Sequence, residues 1–198
     1  LDQAYDHFNA VLFEGNLPYC QITLQRKAKA KGYFSASRFS TRALNGNDRT
    51  DEIALNPDTF TDRTDKEIMS TLVHEMCHLW QQHYGKPGRG KYHNAQWAEH
   101  MLSIGLTPIS LDKPGAMTGQ AVTHEIVPGA AFDQACDALI DAGCSLGWQS
   151  SRSGTATKSK ASKLKYTCQT CDQNAWAKPN ASLICGECMA SMINEEGD

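Results

Sequence analysis

Two histidines four residues apart with a glutamate beside the first, in His74-Glu75-Met76-Cys77-His78, constrain this chain more than any other feature. On an α-helix, residues four apart share a face, so both imidazoles can bind one metal ion. Glu75 then projects beside them toward a water that the metal would hold. The spacing supplies two ligands and a candidate general base, but a helix with two solvated histidines can carry the same letters. The flanks favour the metal site. Thr64-Asp65-Lys66-Glu67 reads as a capping box, so a helix starts near Asp65. Ile68, Met69, Leu72, Val73, Met76, Leu79 and Trp80 recur at helical spacing and form a core-facing stripe, with the histidines and Glu75 off it. Gly85, Pro87 and Gly88 end a helix of about five turns.

A catalytic zinc site takes three protein ligands and leaves one position open. The loop from Gly85 to Tyr92 reverses the chain and delivers His93 at the start of another helix, which turns Trp97, Ala98, Met101 and Leu102 inward and stops at Gly105. His93 is the chosen third ligand. Its competitors are His83, His100 and His124, with the acids Glu99 and Glu125. His83, nine residues beyond His74, points to another side. His100 is expected against the core or in a hydrogen bond that supports the site, and His7 is read as an ordinary helix or surface histidine.

Leu72 to His78 (LVHEMCH), the gap to His93 and the run His93 to Met101 resemble the SprT-like family of zinc peptidases. The opening stretch from Leu1 through Phe13, Leu17 and Pro18, and the segment Asp51 to Pro57, are similar to that family's first helix and pre-helix strand. The resemblance covers about the first 110 residues, and a carboxyl-terminal zinc ribbon matches many bacterial members. It implies His74, His78 and His93 as zinc ligands, Glu75 as catalytic acid/base, and proteolysis of proteins trapped on DNA, a substrate class that spacing does not give. Tyr92, Tyr84 and His124 are the candidates for a second oxyanion donor.

Cys168-Gln169-Thr170-Cys171 and Cys185-Gly186-Glu187-Cys188 are two CxxC knuckles thirteen residues apart. Four thiolates at this spacing read as a closed tetrahedral zinc site. The other cysteines, Cys20, Cys77, Cys136 and Cys144, have no matching spacing, which argues against a disulfide framework. A module this small needs the metal to stay folded, with Tyr166, Trp176 and Leu183 packing around the knuckles.

Residues 149–171 carry five basic side chains and no acid, whereas residues 1–148 carry 13 basic and 17 acidic ones. The formal net charge of -3 does not mark a nucleic-acid binder, so any DNA contact is local. Arg152, Lys158, Lys160, Lys163 and Lys165 of the linker, with Lys86, Arg89 and Lys91 of the loop before His93, are the expected DNA contacts. The bland reading is a solubilising tether. No apolar run reaches the roughly 18 residues of a membrane span and no signal peptide is visible, which suggests the cytoplasm, beside the nucleoid in a bacterium. Leu1 is not a start methionine, so an upstream segment can be missing. Asn180-Ala181-Ser182 is a chance glycosylation pattern.

The expected architecture is α+β: a small zincin-like metallopeptidase domain over residues 1–148, a basic linker over 149–165 and a four-cysteine zinc ribbon over 166–192. Helices are predicted over Asp2 to Leu12 and Phe132 to Ala142, besides the metal helix and its successor. Strands are predicted near Ile22 to Gln25, Tyr33 to Phe39, Glu52 to Leu55 and Ala121 to Val127, with a turn at Asn45 to Asp48. An edge strand beside the metal helix can pair with an extended peptide. The leading function is a zinc metalloendopeptidase acting on DNA-associated proteins, with one catalytic and one structural zinc. The alternatives are a zinc-containing DNA-binding or transcription-related protein with an idle site, and a general intracellular peptidase indifferent to DNA.

Overall fold

The structure is a computed structural model that describes residues 1–42, 48–151 and 163–194. Arg152, Lys158, Lys160 and most of the expected turn at Asn45 lie outside the described residues. The chain divides into two compact units, Leu1–Arg152 and Ser153–Asp198. The first runs α1 (Asp2–Leu12), β1 (Cys20–Leu24), β2 (Gly32–Ser40), β3 (Arg49–Leu55), α2 (Asp65–Tyr84), α3 (Ala95–Ser103), β4 (Leu106–Ser110), β5 (Val122–Ile126) and α4 (Ala131–Asp141).

The third predicted strand, near Glu52 to Leu55, is β3, the centre of a three-stranded sheet of order β1-β3-β2. Its residues Asp51 to Leu55 are all buried, as befits a strand paired on both edges, parallel to β1 and antiparallel to β2. It begins at Arg49, earlier than the apolar run suggests, because Ser40 and Phe39 of β2 pair with Arg49 and Thr50 beyond a register shift. That shift is a bulge in β2. Ser37 takes a positive φ of 49° there, and its N–H donates to Asp51 Oδ1 at 2.6 Å. The neighbouring Arg38 Nε lies 3.4 Å from Glu52 Oε2.

Thr64 caps α2 as its sequence requires: its side chain accepts from the Glu67 N–H, and the Glu67 carboxylate accepts from the Thr64 N–H at 2.7 Å. The stripe Ile68, Met69, Leu72, Val73, Met76 and Leu79 is buried, with Trp80 only half-buried. The opposite face is covered too, since Ser70, His74, Glu75 and Gln81 are also buried. A one-stripe amphipathic reading misses this, because it treats polar residues as a solvated face. Here that face is roofed by α3, β2 and β5.

His93 does not open α3. Asn94, in extended conformation, is the N-cap and its side chain accepts from the Trp97 N–H, which leaves His93 in a bridge to Gly119. Trp97, Ala98 and Met101 point inward as expected, but Leu102 is exposed. The strand predicted over Ala121 to Val127 is β5, and it pairs antiparallel with β4, which no prediction covers. His7 reaches across from α1, its Nε2 2.9 Å from the Ala135 carbonyl of α4, so it is a tether between helices rather than a bystander.

The second unit is a four-stranded sheet of order β7-β6-β9-β8, built from β6 (Leu164–Cys168), β7 (Asn174–Ala177), β8 (Leu183–Ile184) and β9 (Ser191–Ile193). Tyr166 is buried, and its hydroxyl donates to the Lys178 carbonyl and accepts from the Ala181 N–H. Trp176 does not pack around the knuckles. It sits opposite Lys165 in the ladder and is 63% exposed, on the face that strand alternation turns away from Tyr166 and Cys168. No helix among the described residues is long and apolar enough to cross a membrane.

Candidate metal centres

His74 and His78 stand one turn apart on α2, and the His93–Gly119 bridge brings a third imidazole to them. One ring nitrogen from each of the three lies within 4.8 Å of the others. The ring centroids are 5.3 Å (His74–His78), 5.4 Å (His74–His93) and 4.7 Å (His78–His93) apart. Trp97 closes the floor: it stacks on His78 at 5.1 Å and meets His74 and His93 edge-on. His93 Nδ1 is 3.1 Å from the Gly119 carbonyl. A carbonyl only accepts, so that nitrogen carries the proton and Nε2 is left as the ligand atom.

Burial holds all three imidazoles neutral, as metal ligands must be. His74 is lowered well below the ordinary histidine range, by burial first and then by His78 and its other neighbours. His78 falls to about 3 for the same leading reason. His93 is also lowered by burial, against the Gly119 contact. Neutral nitrogens converging on one point suit zinc.

Glu75 lies in the same cleft and is 6% exposed. Burial pushes its carboxyl up to about 8, while Lys91, the Phe34 backbone N–H and Lys27 pull the other way. The same burial makes the ionised carboxylate a stronger base, the property that general-base work uses. The cleft encloses about 1150 Å³ and runs along β2, whose residues Gly32 to Ala36 line it. Since β2 is the last strand of its sheet, its outer backbone groups face this space.

Of the competing ligand candidates, none belongs to the cluster of His74, His78 and His93. His83 Nε2 pairs with Asp51 Oδ2 at 2.6 Å. His100 stacks on Trp80 and does not reach the histidine cluster by a hydrogen bond. Glu99 and Glu125 are exposed and outside the cluster. Of the three candidates for a second oxyanion donor, Tyr92 and His124 line the cleft, whereas the Tyr84 hydroxyl donates to the Asn16 carbonyl. Among the loop cations, Lys91 lines the cleft; Lys86 and Arg89 are exposed and do not. Sequence reasoning missed a basic run on the other wall, Arg26, Lys27, Lys29 and Lys31 between β1 and β2. Its signal was present as four cations in six residues.

In the second unit, the sulfurs of Cys168, Cys171, Cys185 and Cys188 lie within 4.8 Å of one another. The two knuckles are built alike. Cys168 N–H donates to Gln173 O and its carbonyl accepts from Asp172 N–H; Cys185 does the same with Ala190 and Met189. Asp172 and Met189 both take the left-handed conformation, at φ 57° and 54°. The first knuckle also turns its amides inward. The Thr170 and Cys171 N–H groups aim at Cys168 Sγ and lower its thiol, the polarity that favours a thiolate metal ligand. All eight cysteines are free thiols.

A three-histidine cluster with a buried glutamate on the metal helix defines a zinc metallopeptidase-like domain. Residues 1–126 match the model of the SprT-like family, and the chain belongs to that family. A 42-residue stretch, 21% of this chain, is 52% identical to an uncharacterized protein in the mucB 3' region of Salmonella typhimurium. The chain spans 57% of the length of that relative.

Proposed function

We propose that this protein is a zinc-dependent endopeptidase that cuts proteins associated with, or crosslinked to, DNA. The observation that carries the reading is the convergence of His74, His78 and His93 beside a buried Glu75 in a cleft walled by an edge strand. A zinc ion held by the three imidazoles supplies Lewis-acid activation of water and of the scissile carbonyl. Glu75 takes the proton from the attacking water and passes it to the leaving amine. The free edge of β2 offers backbone N–H and C=O groups to an extended substrate and holds it across the site. Trp97 and the buried flank of α2 keep the imidazoles from rotating.

The four ribbon thiolates hold a second, structural zinc. Lys163 and Lys165 are exposed there, and with Arg152, Lys158 and Lys160 of the same basic stretch they contact the DNA backbone by charge. Lys86, Arg89 and Lys91 do so beside the cleft. Work of this kind places the protein near DNA in a reducing compartment, where free thiols persist.

The test is cleavage of a protein crosslinked to DNA, with and without the DNA, alongside Glu75→Gln. The variant should keep its zinc and lose at least about a hundredfold in rate. Near-full activity in Glu75→Gln would remove the base assignment. Equal cleavage without DNA would leave the peptidase and remove the DNA-linked substrate.

A further inference from the structure

His124, on β5, is not one of the three converging histidines, yet it touches one of them. Its Nδ1 is 3.1 Å from His74 Nδ1, and its Nε2 is 2.8 Å from Ser70 Oγ. Ser70 Oγ in turn lies 2.8 Å from the Glu67 carbonyl oxygen. The chain of contacts has one open end and one closed end. The closed end is the Glu67 carbonyl, which can only accept, and which also accepts from Arg63 Nη2.

Each bond then fixes the next. The single hydroxyl hydrogen of Ser70 goes to Glu67 O, so Ser70 Oγ must accept from His124, and His124 Nε2 carries its proton. In a neutral ring the other nitrogen is then a lone pair. His124 Nδ1 therefore accepts, and His74 Nδ1 must donate to it. The result at the open end is His74 protonated on Nδ1 with its lone pair on Nε2. Reversing the order would leave Ser70 Oγ and Glu67 O facing each other at 2.8 Å with no hydrogen between them.

We propose that His124 and Ser70 act as a positioning relay that locks the His74 imidazole in its Nδ1–H tautomer and presents Nε2 to the metal. His93 reaches the same state in one step, through the Gly119 carbonyl. His74 lies against another ring, which can donate or accept, and needs the relay to remove the choice. An unlocked His74 would spend part of its time with a proton on the nitrogen that has to bind zinc. The role also gives the β4–β5 pair a task, since β5 brings His124 to α2 from 50 residues away in the chain.

The inference rests on the three-histidine reading of the metal site but not on peptidase activity. The experiment is side-chain ¹H–¹⁵N correlation NMR of the zinc-free full chain at neutral pH, followed by zinc titration against a competing chelator. The wild type should show His74 protonated on Nδ1 and His124 on Nε2. His124→Phe should lose the single His74 tautomer and bind the histidine-site zinc about 10- to 100-fold more weakly, with the cysteine-site zinc retained. Ser70→Ala, which removes only the hydroxyl, should weaken it in the same direction and by less, and it carries the test where His124→Phe fails to fold. His74 protonated on Nε2 in the wild type, or unchanged zinc affinity in Ser70→Ala, would overturn the relay. A wild-type chain that binds zinc only at its cysteines would overturn the three-histidine site itself.

Discussion

The rings of Trp80 and His100 stack face to face, centroids 3.8 Å apart and planes within 4°. The contact joins α2 to α3 on the side of the helix pair that carries no metal ligand. His100 Nε2 is buried there without a hydrogen-bond partner among the described residues. Burial lowers its pKa from 6.5 to about 4. The folded protein therefore binds this proton less readily than the unfolded chain, whose histidine keeps the ordinary value. The stabilisation is fully present above about 6.5 and is lost as pH falls toward about 4; because the ring is partly screened by solvent, it stays well below the roughly 3 kcal/mol that the unscreened shift corresponds to. His100→Phe preserves a stackable ring without the titration. Urea denaturation should show the wild type losing more stability than His100→Phe between neutral pH and about 4; parallel profiles would remove His100 from the acid response.

Asp51 joins three elements through one carboxylate. Oδ1 accepts from the Ser37 N–H in the β2 bulge at 2.6 Å, and Oδ2 meets His83 Nε2 at the end of α2, also at 2.6 Å. Asp51 is only 7% exposed. Asp51→Ala leaves the bulge amide of Ser37, a residue already held at positive φ, without its acceptor. The expected cost is about 1–3 kcal/mol, with chemical-shift changes at Tyr33 to Phe39. A loss below that range with an undisturbed β2 would show that the bulge is held by Glu52 and Arg38 alone.

Much of this architecture was legible because it is local. The Thr64–Glu67 box, the α2 stripe and the CxxC spacing are short-range patterns: the box forms, the stripe is buried apart from the half-buried Trp80, and the four thiols come together. What could not be read depends on contacts distant in sequence. The burial of His74 and Glu75 comes from β2 and β5 roofing the polar face of α2. His93 left its expected helix because Asn94 is the better cap, and its partner Gly119 is 26 residues on. Strand β4 is not among the predicted strands, and it contains Pro108, a residue that argues against a strand, yet it pairs with β5 over five residues. His124 was weighed as a ligand and as an oxyanion donor; its contact with His74 appears only when β5 is placed beside α2.

Gly88 shapes the loop that delivers His93. A side chain there would collide with the Tyr92 carbonyl oxygen, whose residue immediately precedes His93. The constraint is one of space, since Gly88 has an ordinary φ of -68°. Gly88→Ala should force the Tyr92 peptide to move, at an overpacking cost of about 1–3 kcal/mol. It should also weaken zinc at the histidines while sparing the cysteines. Calorimetric zinc titration resolves the two sites, and an unchanged histidine-site affinity would show that the loop absorbs the shift without moving His93.

The ribbon should depend on its metal far more than the first unit does. Its buried apolar residues among those described are Tyr166, Cys168 and Cys185, too few for a core. The two like-built knuckles point four sulfurs at one centre, and removing a metal held by four thiolates costs on the order of 10–16 kcal/mol of apparent binding energy. Cys185→Ser, or a strong chelator, should therefore collapse the amide dispersion of residues 163–194. Resonances from α1 and from the α4 core residues Phe132 and Leu139 should hardly move, because the apolar cluster around them does not use the ribbon. Zinc content should fall from two per chain to one in Cys185→Ser, and to one in His78→Ala with the ribbon intact. A ribbon that keeps its dispersed spectrum without zinc would show that its sheet, rather than its thiolates, holds it together.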